Sequence, residues 1–239
     1  MKLISFTLYG SDPKYTRGLF ENLELKDDLY PDWDVIVYHD NSVPKETLDI
    51  LESCDTILKN EENSGILAAS WRFLAHDENC ERFICRDADS RFSQREVDAV
   101  NEWIDEDKVL HIMRDHLHHG YPMLGGMWGA KVDGVWPYNM RDSILSHQRC
   151  KYDGNANERS KWWMKDMDFL RDVVYPKFAH PELSTIHSAR DFMHLVDWDC
   201  EKWSKDFPQS RNENKNFVGE VFTYENGSLE RGPQYKELP

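Results

Sequence analysis

The sequence predicts an α/β fold, a mostly parallel central sheet flanked by helices. Short apolar runs alternate with stretches at helical spacing over the first hundred residues, the pattern of repeated strand–helix units. One run, Arg82-Phe83-Ile84-Cys85, leads through Arg86 into Asp87-Ala88-Asp89. Buried strands of open sheets present ligand-binding residues at such carboxyl ends. The chain has 239 residues, 40% of them hydrophobic. That suffices for a single domain over 1–239 and does not require a second.

The elements follow in order. Residues 3–9 read as the first strand. Pro13 opens a helix through about residue 25, with Leu19, Phe20 and Leu23 on one face. Pro31-Asp32 turns the chain into a second strand at 35–38. A short helix at 44–52 carries Leu48 and Leu51, and a third strand is expected at 56–58. Residues 65–75 place Leu67, Trp71 and Leu74 at helical spacing, and 83–85 form the strand before the Asp pair. Ser93-Gln94-Arg95-Glu96 has the form of a capping box and starts a helix with a Val97, Val100, Ile104 stripe. Further strands are expected at 109–113, 124–130 and 217–222, and a helix at 161–174. The remainder of 200–239 is polar and turn-rich.

Formal net charge is −15. This argues against nucleic acid, whose phosphates need a basic footprint, and against an anionic membrane surface. The five cysteines are scattered with no C-x-x-C pair. They fit a reducing, cytoplasmic setting and neither a disulfide scaffold nor a zinc site. The apolar start, residues 1–9, is short and meets Gly10-Ser11-Asp12-Pro13 at once, so it reads as a strand and not a leader. No run approaches a transmembrane span. The 9 Trp and 10 Tyr supply flat faces that suit sugar rings or simply pack the core.

Side chains two apart on extended chain point the same way. Asp87 and Asp89 would then offer two hard oxygen donors to Mg²⁺ or Mn²⁺. Arg86 and Arg91 would hold phosphate oxygens. Arg72 lies among apolar neighbours and needs an anion, either a phosphate or Asp87, unless it snorkels at the core edge. Gly125 and Gly126 permit close approach of a ligand to backbone, or mark a kinked strand. Asp166 and Asp168 sit near a helix start, where they either cap amides or act on a substrate. His116, His118 and His119 read as a loop contacting phosphate, a transition-metal imitation or plain surface histidines. Asp105-Glu106-Asp107 and Asp197-Trp198-Asp199 repeat the acidic spacing.

In this order the landmarks resemble nucleotide-sugar-dependent glycosyltransferases of the GT-A fold, whose D-x-D pair Asp87-Ala88-Asp89 matches. Leu124-Gly125-Gly126-Met127-Trp128-Gly129 looks like the strand bordering the donor sugar in retaining members. Lys165-Asp166-Met167-Asp168-Phe169-Leu170 is similar to their D-Q-D-x-L segment, with Met167 replacing the glutamine. His187 in Thr185-Ile186-His187-Ser188 best matches the late metal-binding histidine, ahead of His180 and His194. Tyr30-Pro31-Asp32-Trp33 and the run from Met113 to Pro122 also resemble capsule- or capsid-decorating transferases of bacteria and viruses.

The resemblance spans about residues 1–222. It implies a nucleotide-binding half at 1–110, a donor-sugar and acceptor half at 111–222 and a polar tail at 223–239. It implies Mn²⁺ or Mg²⁺ on Asp87, Asp89 and His187. Donor contacts would come from Thr7, Tyr9, Tyr15, Arg72, Arg86, Asp87, Gly125 and Gly126; Tyr9 and Tyr15 flank the first strand–helix junction, where either stacks on the base or packs in the core. Asp166 and Asp168 would be catalytic. The donor would be a UDP-sugar, the acceptor a carbohydrate, and retention of configuration is favoured over inversion. Two rivals stand beside this reading. One is a metal-dependent nucleotidyltransferase or phosphohydrolase, disfavoured by the lone glycine after the first strand. The other is a non-catalytic carbohydrate-binding module.

Overall fold

The computed structural model describes residues 1–132, 136, 138–152, 164–190, 202–211, 216–225 and 228–232. Strands β1 (Lys2–Leu8), β2 (Asp34–His39), β3 (Ile57–Asn60), β4 (Arg82–Cys85), β5 (Leu110–Arg114), β6 (Trp128–Lys131) and β7 (Ser184–Ser188) make one sheet. Their order is β3-β2-β1-β4-β6-β5-β7. Every pairing is parallel except those of β6, which runs against β4 and β5. The α/β reading therefore holds, with one antiparallel strand inside the sheet. A hairpin of β8 (Phe222–Glu225) and β9 (Ser228–Arg231) stands apart from it.

Alternation along the strands divides the core in two. Leu3, Ile36, Tyr38, Phe83, Cys85, Ile112 and Trp128 face a 3₁₀ helix (Ala68–Asp77), α4 (Met140–Tyr152) and the helical run beginning with α5 (Lys165–Phe169). Ile4, Phe6, Leu8, Val35, Val37 and Ile84 face α1 (Pro13–Leu29) and α3 (Gln94–Asp105). The short α2 (Lys45–Ser53) adds Leu51 to this second layer. Asp12 caps α1, accepting from the Lys14 amide at 2.9 Å, and Pro13 occupies the first turn.

Several sequence expectations are corrected. The 65–75 segment is a 3₁₀ helix shifted to Ala68–Asp77. Gly125 and Gly126 lie in a turn before β6, not within the strand. Residues 217–221 are turn and loop, and the strand begins only at Phe222. The 161–174 helix is an α-helical turn at Lys165–Phe169 followed by a π-helical turn at Leu170–Val174, with 161–163 outside the described residues. Ser93 caps α3 as expected, its Oγ accepting from the Glu96 amide at 3.3 Å. The Glu96 carboxylate is engaged elsewhere: it accepts from Arg86 Nε at 2.5 Å and from Tyr30 OH at 3.0 Å. β7 and α4 had no counterpart in the sequence reading.

Among the described residues no helix is long and apolar enough to cross a membrane.

Candidate active site

The strand order reverses beside β1. β2 and β3 lie to one side and β4 to the other, so the carboxyl ends of β1 and β4 flank a topological switch point, the usual ligand crevice of such sheets. Residues 86–92 leave β4 there. The parity of the strand carries one residue further than the strand itself. Phe83 and Cys85 face the 3₁₀ helix, and Asp87 continues that side to pair with Arg72. Ile84 faces α3, and Arg86 continues that side to pair with Glu96.

Arg72 is the centre of the constellation. It is 7% exposed. One terminal nitrogen meets Asp87 and the other meets Asp166 Oδ2 at 3.1 Å. Its backbone is fixed as well: the amide donates to Thr7 Oγ1 at 3.0 Å, and its carbonyl accepts from Ser5 Oγ at 2.7 Å. Burial opposes its charge, but the Asp87 and Asp166 carboxylates outweigh that and raise its pKa. A Cβ on Gly125 would collide with Arg72 and the Asp166 carboxylate, and one on Gly126 would collide with Asp87. Both glycines are thus required by close approach to charged side chains. Burial raises Asp166 above the usual carboxylate range, with Arg72 opposing.

Asp89 does not share the Asp87 orientation. After Cys85 the chain leaves extended geometry and turns, the Ser90 amide donating to the Asp87 carbonyl at 3.2 Å. Asp89 is thereby brought to Lys14 of α1, with Oδ2 2.6 Å from Nζ. Burial first, then the Asp87 charge, raises the Asp89 pKa, with Lys14 opposing. The turn is braced on three sides. Gly18 of α1 abuts the Ala88 carbonyl. Asn22 donates to the Ser90 carbonyl at 2.8 Å and accepts from the Phe92 amide at 3.1 Å. From the hairpin, the Phe222 amide donates to the Asp89 carbonyl at 2.8 Å, and Arg91 donates to Tyr224 OH at 2.8 Å.

The structure therefore brings together Thr7, Arg72, Asp87, Gly125, Gly126 and Asp166, with Asp89 alongside. Tyr9 is exposed at the end of β1, its ring edge-on to Trp71 at 6.5 Å. Tyr15 lies beside Lys14, with OH 3.5 Å from Nζ. Asp168 belongs to a neighbouring cluster. It accepts from Tyr121 OH at 3.2 Å and pairs with Arg171 at 2.8 Å. Residues two apart on a helix do not share a face, which separates it from Asp166.

Three candidates are placed elsewhere. Arg86 is buried, its guanidinium held by Glu96 and by the Cys85 carbonyl at 2.7 Å, away from Asp87. Arg91 pairs with Glu21 at 2.8 Å. His187 is fully buried on the α3 side of β7, with Nδ1 3.0 Å from His111 Nε2 and Nε2 3.0 Å from Glu102. Burial lowers its pKa, with Glu102 opposing. Of its competitors, His180 is exposed on a turn, and His194 lies outside the described residues. Asp107 pairs with Arg82 and Lys131, at the opposite edge of the sheet. Asp197 and Asp199 fall outside the described residues.

Sequence reasoning did not find Lys14, Asp115 or Tyr121. Asp115, at the end of β5, is fully buried. It accepts two bonds of 2.8 Å from Arg95, one of 2.7 Å from Arg211 and one of 2.9 Å from the Val218 amide. His116 stacks on Phe217 with centroids 4.2 Å apart, and His119 Nδ1 accepts from the Asp115 amide at 3.0 Å. Of the three histidines only His118 is exposed. A metal-ready group of three or more His, Cys, Asp or Glu side chains is absent among the described residues.

Comparison with known proteins gives no matching family and no matching curated protein. Solved structures with partial likeness include TarS residues 1–349 of S. aureus, at 23% identity over 47% of this chain and 34% of that one, TM-score 0.37. The mannosyltransferase PcManGT of Pyrobaculum calidifontis, solved with GDP-Man and Mn²⁺, is 13% identical over 54% of this chain and 44% of its own, TM-score 0.42. The galactosyltransferase LgtC, solved with donor and acceptor sugar analogs, is 13% identical over 71% and 69%, TM-score 0.47. The chain thus spans about a third of TarS 1–349 and less than half of the mannosyltransferase.

Proposed function

We propose that the chain is a metal-dependent glycosyltransferase that moves a sugar from a nucleoside diphosphate donor, a UDP-sugar, to a carbohydrate acceptor with retention of configuration. The observation that carries this reading is the convergence of Arg72, Asp87, Gly125, Gly126 and Asp166 beside the switch point. Four segments distant in sequence meet where a small anionic ligand is expected.

The donor set fits Mg²⁺ or Mn²⁺. Asp87 and Asp89 supply hard oxygens, and such ions are commonly held by one or two carboxylates plus substrate phosphates, so a third protein ligand is not required. When bound, the cation would act as a Lewis acid towards charge building on the departing diphosphate.

The chain's own residues do the rest. Arg72 is a fixed, permanently charged group that holds Asp87 in place and adds positive potential to the crevice. Asp166, buried against Arg72, positions that guanidinium. Asp168 is more accessible and sits beside Tyr121. It is assigned to the sugar, orienting the donor or receiving the acceptor hydroxyl proton. Tyr9, exposed at the β1 end, is assigned to the base, on which its ring would stack. His187 has no part in this proposal, since both ring nitrogens already face partners.

The test is a thermal-shift series of nucleoside diphosphates with and without Mn²⁺, followed by product analysis with UDP-sugars. The expected result is a Mn²⁺-dependent rise with UDP, lost in Asp89→Ala, and a glycosylated acceptor. Free sugar phosphate as the product would instead identify a phosphohydrolase. No shift with any nucleotide at millimolar concentration would overturn the reading.

A further inference from the structure

We propose that Lys14 is an exchangeable counter-ion of the acidic pair. It neutralises Asp89 while no divalent cation is held there, and it releases that carboxylate for the diphosphate when one is. The inference rests on the reading of Asp87 and Asp89 as cation-holding residues.

The two carboxylates have unequal counter-ions. Asp87 faces Arg72, whose other bonds run to Asp166 and to the Arg86 carbonyl at 3.4 Å. That guanidinium is buried and locked from several directions. Asp89 faces Lys14, whose one carboxylate contact within ion-pair distance among the described residues is that 2.6 Å pair. Its other neighbour is Tyr15, with OH at 3.5 Å and the ring centroid at 4.9 Å.

Lysine carries a point charge on a flexible four-carbon stem, whereas the arginine fork is rigid. The Lys14 backbone is pinned by the Asp12 cap, so the side chain alone can move. It borders a cavity of about 420 Å³ shared with Asp12, Pro13, Arg17, Thr223 and Tyr224. A nearly buried carboxylate oxygen cannot serve an ammonium at 2.6 Å and a dication together without strong repulsion. Of the two counter-ions, Lys14 is the one free to yield. Once displaced it remains at the carboxyl edge of the sheet, beside the anionic ligand expected there.

The prediction is a pair of effects of opposite sign. Mn²⁺ binding alone is measured by spin resonance or calorimetry, and UDP binding is then measured in saturating Mn²⁺, for wild type and Lys14→Gln. Lys45→Gln is the control, because it removes an exposed lysine paired with Asp49 on α2. Lys14→Gln should bind Mn²⁺ roughly tenfold more tightly and UDP roughly tenfold more weakly, as for loss of a close charge pair, with Lys45→Gln changing neither.

If Lys14→Gln moves neither affinity, or moves both the same way, the role of Lys14 is overturned and the cation reading stands. If wild type and both variants bind no Mn²⁺, the cation reading falls and this inference falls with it. Should Lys14→Gln fail to fold, Lys14→Arg keeps the charge and grips Asp89 more firmly. It should then bind Mn²⁺ more weakly than wild type, and equal or tighter binding would overturn the proposal.

Discussion

At the scale of single residues, two arginines close in sequence and equal in charge have opposite assignments. Arg72 opens onto Asp87 and Asp166, while Arg86 is shut into the α3 side of the sheet with Glu96. Arg86→Lys removes the fork but keeps the charge. It should lower the urea midpoint and leave UDP affinity in Mn²⁺ unchanged. Asp87→Asn should cut transfer by about 10²–10³, the cost of a lost electrostatic group, and lose UDP affinity in Mn²⁺, with a fall in melting temperature as well because buried Arg72 keeps only Asp166. Equal affinity losses in the two variants would place Arg86 in the crevice after all.

Gly126→Ala is a sharper probe. Its Cβ would enter the space of the Asp87 carboxylate, so a single methyl group should abolish the Mn²⁺-dependent thermal shift. A wild-type shift in Gly126→Ala would mean that the Asp87 carboxylate is not held against Gly126.

At the scale of elements, the carboxyl end of β5 is tied to α3, to Arg211 and to Val218 through one buried carboxylate, Asp115. Asp115→Asn leaves two arginines without their anion. Breaking a buried pair in this way costs about 3–5 kcal/mol, read as a fall in unfolding free energy by urea titration. A loss near zero would show that solvent replaces the carboxylate freely.

Much of this layer was legible beforehand, and what was not has physical causes. The first hundred residues alternate cleanly because strands buried on both faces are nearly all apolar. Beyond them, β7 reads Ser-Thr-Ile-His-Ser, a polar strand whose partners come from other elements. His187 finds Glu102 and His111, 85 and 76 residues away, and no local pattern reports contacts of that range. The Asp pair was legible by position. Its divergence was not, since period-two orientation holds only while the chain stays extended, and β4 ends at Cys85. Strand parity did contain the fate of Arg86, because Ile84 and Arg86 share a side. Lys14 left only a faint signal, a cation in the first turn of the helix after β1.

At the scale of the whole molecule, acid should unfold the protein through its histidines. Burial, reinforced by neighbouring imidazoles, pushes His116 down to about 4 and His119 down to about 3, from 6.5. A folded-state pKa below the unfolded one means that the unfolded chain binds protons first. The stabilisation is complete above about pH 6.5 and is lost as pH falls towards 4 and 3. His119 gives the loss a structural form, because protonation removes the acceptor that its Nδ1 offers the Asp115 amide. Asp89 and Asp166, raised by burial, work with the opposite sign and moderate the fall. Urea midpoints taken from pH 7.5 to 4.5 should decline, and His119→Asn should flatten the curve. A flat wild-type curve over that range would refute the assignment.

The bond from the Phe222 amide to the Asp89 carbonyl has a further consequence for biosynthesis. A protein leaves the ribosome amino end first, and early segments fold as they emerge. β1, α1 and β4 can assemble while the rest is still being translated, yet the acidic turn lacks one of its three braces until residue 222 has cleared the exit tunnel. The crevice is therefore completed late, and a nascent chain stalled before that point would carry the sheet without a finished site.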